Sequence, residues 1–108
     1  MSSFEHFHNV TSSEANDIIT ELDPVILDVR TPSEFKEGHI EGAVNLPVDN
    51  LNESSILEVF DDADAPILVY CKSGVRSARA CAQLSEMGSK GLFNLTDGIM
   101  AWPFGVVC

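Results

Sequence analysis

Seven consecutive residues, Cys71-Lys72-Ser73-Gly74-Val75-Arg76-Ser77, carry the chemistry this sequence offers. A cysteine is nucleophilic as its thiolate, which is favoured where cations, oriented amides and a helix N-terminus gather around the sulfur. The apolar run Ile67-Leu68-Val69-Tyr70 reads as a buried strand, and Ser77 opens a helix through Met87 that Gly88 ends. Cys71 therefore follows a strand and precedes a helix, the place where open parallel sheets bind ligands. A loop there turns successive backbone N–H groups towards one point, and the helix dipole adds partial positive charge. Lys72 and Arg76 supply two full charges, while Gly74 allows a positive φ at little steric cost. The expected site is a reactive thiol set in a pocket for a small anion.

Each feature has a plainer reading. A lone cysteine is commonly a small buried hydrophobe, and bases at a helix N-terminus are commonly just solvated. The combination of strand end, glycine, flanking bases and helix start favours the reactive reading for Cys71. Cys81 has no such company: it lies within the helix between Ala80 and Ala82 and reads as core. Cys108 is the terminal residue, and a role as a resolving thiol is the weaker alternative there. Three cysteines with no CxxC spacing support neither a disulfide framework nor a zinc knuckle. The economical reading is a reduced, cytoplasmic chain.

The elements that must position this loop are short. Phe7 to Val10 reads as a first strand. Thr11-Ser12-Ser13-Glu14 is a capping box opening a helix to Leu22, with Ala15, Ile18, Ile19 and Leu22 on one face. Asp23-Pro24 breaks it, and Val25-Ile26-Leu27, ending in Asp28, resembles a strand covered on both faces. Thr31-Pro32-Ser33-Glu34 is a second capping box, and Gly38 stops its helix within two turns. A third strand is expected over Ala43–Leu46, a loosely periodic helix over Asp49–Phe60, an acidic turn over Asp61–Pro66 and a last strand over Leu92–Leu95. Strands alternating with helices predict one α/β domain over residues 1–108, with a parallel sheet of about five strands between helical layers.

The chain has 108 residues, 44% hydrophobic and 21% charged, which suits one soluble domain. No apolar run approaches the roughly 20 residues of a membrane span, and no basic-then-apolar leader is visible at the start. The net charge of −11 argues against nucleic acid or an anionic membrane as partner. Its distribution is uneven: residues 1–70 hold 15 acids and two bases, whereas residues 71–108 hold two acids and four bases.

Three segments together resemble a known family. Asp28-Val29-Arg30-Thr31-Pro32-Ser33-Glu34-Phe35 with Gly38–Pro47 is similar to the signature near the start of rhodanese domains. Cys71–Ser77 resembles their active-site loop, and Asp97-Gly98-Ile99-Met100-Ala101-Trp102 their closing motif. The matches come in order and span nearly the whole chain. The resemblance implies a rhodanese-like three-layer α/β/α fold and a sulfurtransferase that carries sulfane sulfur as a Cys71 persulfide. Thiosulfate or a similar small anion would be the donor, and cyanide or a thiol the acceptor. Lys72, Ser73, Gly74, Val75, Arg76 and Ser77 would bind it, with no cofactor and no metal.

Related phosphatases also place a cysteine loop before a helix, but with five residues between Cys and Arg and usually a His before the Cys. Here four residues intervene and Tyr70 precedes. The smaller ring of amides suits a sulfur atom better than a phosphoryl group. Asp28 reads as structural support through a salt bridge, and Arg30 as a residue that reaches the catalytic mouth and touches substrate. Glu34 reads as a capping residue and His39 as a buried hydrogen-bonder. His6 and His8 alternate but make a weak metal signal, and Trp102 and Phe104 are expected to pack on the sheet. Asp97 stands where many family members carry glycine, and the tail from Pro103 to Cys108 is short. Three functions compete: a thiosulfate-type sulfurtransferase, a protein-to-protein persulfide carrier, and a non-catalytic binding module. Retention of the cysteine disfavours the last.

Overall fold

The computed structural model describes residues 7–59 and 65–108. His6, Phe60 and residues 61–64 of the expected acidic turn at Asp61–Pro66 lie outside the described residues. Five strands, β1 (Phe7–Val10), β2 (Val25–Asp28), β3 (Val44–Asn45), β4 (Ile67–Tyr70) and β5 (Leu92–Leu95), form one sheet in the order β1-β5-β4-β2-β3. Every pairing is parallel, with Asp28 beside Tyr70 and Val69 beside Asn94. The central strand β4 is buried at all four positions, which is why its sequence shows no alternation.

Helices cover both faces. The α1 helix (Ser12–Leu22) lays Ala15, Ile18 and Ile19 against Val10, Ile26, Leu68, Tyr70 and Leu95. The α4 helix (Val75–Glu86) buries Ser77, Ala80, Cys81 and Leu84 at helical spacing against the face made by Leu27, Ile67, Val69 and Leu92. Burying Leu84 alone contributes about 2 kcal/mol. Cys81 belongs to this core, and burial pushes its thiol up to about 12, so it has no thiolate character near neutrality. The α2 helix (Pro32–Glu37) follows β2 directly, and both expected capping boxes are present at Thr11 and Thr31.

Three boundaries differ from the sequence expectation. The α4 helix starts at Val75 rather than Ser77, because Gly74 at φ +97° serves as its N-cap. The expected helix over Asp49–Phe60 is broken: a 3-10 turn spans Val48–Asn50 and α3 spans Glu53–Val59. Asn52 causes the break, since its side-chain oxygen accepts from the Ser55 amide (2.9 Å) while Ser55 Oγ accepts from the Asn52 amide (2.9 Å). This local cap competes with a continuous helix. The third strand shortens from Ala43–Leu46 to Val44–Asn45.

After β5 a 3-10 turn (Ile99–Ala101) carries the chain to Trp102, which packs on the α1 face, whereas Phe104 sits edge-on to Trp102 (5.0 Å) and half exposed. The short tail runs back along α2's end, where His39 and Val107 exchange two backbone hydrogen bonds of 2.8 Å. Among the described residues no helix is long and apolar enough to cross a membrane.

Candidate active site

The carboxyl end of β4 leads directly into Cys71, a residue only 1% exposed. Its sulfur accepts from the Gly74 amide at 3.1 Å and lies 3.5 Å from Ser77 Oγ. Burial pushes this thiol up. The Ser77 hydroxyl and the amides of Ser77, Ser73 and Gly74 outweigh it, so the net shift is downward, towards the thiolate. Cys71 and Cys81 are thus both buried cysteines with opposite shifts, and oriented donors make the difference.

The loop's donors point inward because its carbonyls are taken from outside. The Ile99 amide donates to Cys71 O (3.0 Å) and the Met100 amide to Lys72 O (3.2 Å). Gly98, at φ +70° and ψ −173°, brings this closing turn against the loop: a Cβ there would collide with the Lys72 carbonyl and stand 2.6 Å from the Ser73 nitrogen. Gly74 is equally confined, as a Cβ on it would strike the Thr96 carbonyl. The Asp97–Trp102 motif therefore fastens the loop from beneath. Asp97 itself is exposed.

The two loop cations differ. Lys72 is exposed and pairs with no acid among the described residues. Arg76 is engaged by Glu34 in a two-pronged ion pair, Nη1–Oε1 2.9 Å and Nη2–Oε2 3.0 Å. Glu34 Oε1 also accepts from the Thr31 amide (2.9 Å) as the capping-box carboxylate. Arg76's guanidinium, with smaller help from Thr31, holds the Glu34 carboxyl at about 2 despite partial burial. Glu34 is the site residue that sequence reading missed. Its capping role was readable, but nothing local announces a partner 42 residues away.

Asp28 and Arg30 form a buried pair beneath the site. Arg30 Nε donates to both Asp28 oxygens (3.0 and 3.1 Å), Nη2 donates to Asp28 Oδ2 (2.7 Å) and to Gly38 O (2.7 Å), and the group lies over the Tyr70 ring. Arg30 is 6% exposed, with Nε and Nη2 engaged by Asp28 and the Gly38 carbonyl, so the structure places it in the scaffold beside the loop. Tyr70 adds a hydrogen bond from the Ile40 amide to its hydroxyl (3.0 Å), and Asn45 Nδ2 holds the carbonyls of Asp28 and Arg30. His39 is half-buried rather than buried, stacked on Phe35 at 3.7 Å with Nδ1 2.8 Å from Phe35 O. Ser73 is exposed at the rim, as are Val75 (75%) and Met100 (69%). His8 is exposed against Phe93. Cys108 is exposed, its sulfur 4.0 Å from Glu37 O.

Residues 11–103 match the family model of the Rhodanese-like domain. A protein named sulfurtransferase from Allochromatium vinosum is 40% identical over 80 residues, covering 74% of this chain and 72% of that protein. The thiosulfate sulfurtransferase GlpE of Coxiella burnetii is 32% identical over 96 residues, covering 89% of this chain and 87% of that one. The crystal structure of a rhodanese-related protein from Thermoplasma volcanium superposes with a TM-score of 0.79 at 28% identity, covering 93% of this chain and 97% of that one.

Proposed function

The chain belongs to the rhodanese-like family, and from that premise we propose a sulfurtransferase that moves a sulfane sulfur through a persulfide on Cys71. The observation that carries the reading is the buried Cys71 sulfur, held towards the thiolate by the Ser77 hydroxyl and the amides of Ser77, Ser73 and Gly74. In the first half-reaction the Cys71 thiolate attacks the outer sulfur of thiosulfate. The S–S bond of the donor breaks, sulfite leaves with the bonding pair, and Cys71–S–S⁻ remains. In the second, cyanide or a thiolate attacks the terminal sulfur and releases the Cys71 thiolate. Splitting the transfer in two predicts ping-pong kinetics.

The loop's amides would stabilise the terminal sulfur's charge without reorganising, as in an oxyanion hole. Lys72 would attract the sulfonate end of the donor. A protein donor or acceptor is the second reading, favoured by the exposed Val75 and Met100 side chains beside the loop. The test is intact mass spectrometry of the reduced protein after brief exposure to thiosulfate, beside Cys71→Ser. A cyanide-removable gain of one sulfur atom, absent from the variant, is the expected result. An equal gain in the variant would move the nucleophile elsewhere.

A further inference from the structure

We propose that Glu34 sets the charge preference of the sulfur site: by occupying Arg76 it makes the mouth favour sulfane donors of low charge over dianions. The proposal builds on Cys71 as the sulfur-accepting nucleophile. A cysteine loop with two bases looks made for a doubly charged anion, yet the ion pair removes one of those charges. Both Arg76 terminal nitrogens are taken by Glu34, and the pair is about one-third exposed on each side.

Glu34 is not a loose surface acid. Its Oε1 is fixed by the Thr31 amide (2.9 Å) and lies 3.2 Å from Thr31 Oγ1, so the capping box of α2 aims the carboxylate at the loop. Of the charged side chains in the Cys71–Ser77 segment, Lys72 is then the one cation free of an acid among the described residues. With thiosulfate, thiolate plus donor bring three negative charges to this mouth, and persulfide plus sulfite keep three. With an alkanethiosulfonate, RSO₂S⁻, the thiolate takes the same outer sulfur and a sulfinate leaves, so only two charges are present throughout. An organic persulfide anion that loses a thiolate behaves likewise. No external oxidant or reductant enters any of these steps.

Glu34→Gln tests this directly, because Gln fills the same capping-box position and can still accept from Thr31 while losing the charge. One unit charge at this partly exposed ion pair changes the affinity about fivefold per unit of donor charge. The ratio of kcat/KM for thiosulfate to that for methanethiosulfonate should therefore rise about fivefold in Glu34→Gln. In the double variant Glu34→Gln/Arg76→Gln, which restores the pair's net charge, it should return to the wild-type value. A purely structural role for Glu34 would move both donors together, and that result overturns the proposal.

A second readout does not depend on sulfur transfer. Alkylation of Cys71, followed on its own peptide, is compared for anionic iodoacetate and neutral iodoacetamide. The anionic-to-neutral rate ratio should also rise about fivefold in Glu34→Gln. An unchanged ratio refutes the charge argument even in a chain that takes sulfur from neither donor. A raised ratio in a chain that transfers no sulfur leaves the charge argument standing and refutes the sulfurtransferase reading instead.

Discussion

Gly98→Ala should damage the sulfur site through the backbone alone. Gly98 adopts φ +70° and ψ −173°, a region that is essentially glycine's, so an alanine there costs about 1–3 kcal/mol in backbone strain. Its Cβ would also overlap the Lys72 carbonyl and approach the Ser73 nitrogen. Both are main-chain atoms, so no side-chain rotation relieves the contact and the loop itself must shift. That shift strains the bonds from Ile99 and Met100 to the carbonyls of Cys71 and Lys72, worth about 1 kcal/mol each. A total near 3 kcal/mol lowers the melting temperature of a domain this size by about 15 °C.

Gly88→Ala is the matched control. Its φ is +100°, but nothing lies within 4 Å of the added Cβ, so only the left-handed backbone penalty of about 1–2 kcal/mol applies. Thermal melts followed by circular dichroism measure the stability difference. The pH dependence of Cys71 alkylation by iodoacetamide measures the site. Gly98→Ala should melt well below Gly88→Ala and return the Cys71 thiol towards its ordinary value, while Gly88→Ala leaves that titration unchanged. If Gly98→Ala melts like the control and Cys71 titrates as in the wild type, the closing turn does not hold the loop and the reasoning fails.

Lys72→Ala should raise the KM for thiosulfate several-fold with a smaller change in kcat; equal kinetics at low salt would remove Lys72 from donor binding. Glu34's carboxyl is held at about 2, below its unfolded value, so the pair contributes stability above the ordinary carboxylate range and loses it as pH falls through about 2. In Arg76→Gln the Glu34 titration, followed by NMR, should move up towards the ordinary range; no movement would assign the depression to Thr31 instead. Asp28→Asn should cost about 3–5 kcal/mol in urea melts, because it leaves the buried Arg30 guanidinium without its carboxylate. A loss below about 1 kcal/mol would show that Gly38 O and the Tyr70 ring suffice for Arg30.

What sequence reading reached was what neighbours in the chain determine. The capping boxes at Thr11 and Thr31, the buried run Ile67–Tyr70, the strand Leu92–Leu95 and the strand-loop-helix setting of Cys71 are all specified within about ten residues. The split at Asn52 was local too, but its signal is a side chain competing with the backbone, which the loose periodicity of Leu51, Leu57 and Phe60 obscured. The order β1-β5-β4-β2-β3 depends on crossovers that no local pattern encodes. Arg30 was ambiguous because a buried and a substrate-facing arginine look the same in sequence. Its placement comes from contacts made in the fold, with Asp28 and with the carbonyl of Gly38 eight residues on.

The least legible quantity was the charge at the sulfur. The sequence reading credits the thiolate to the loop's amides, the helix dipole and the charges of Lys72 and Arg76 together. In the folded chain Arg76 answers to Glu34, and Cys71's shift comes from burial opposed by a hydroxyl and three amides. The two sources behave differently. A side-chain cation is screened by salt and neutralised by any acid that reaches it, whereas amides fastened through their own carbonyls keep their aim whatever the surface charge. On the proposed function, this is how a chain of net charge −11 would hold a sulfur anion. In the proposed enzyme the loop's reactivity would rest on a backbone shaped by Gly74 and Gly98, leaving its side-chain charges to determine which donors it admits.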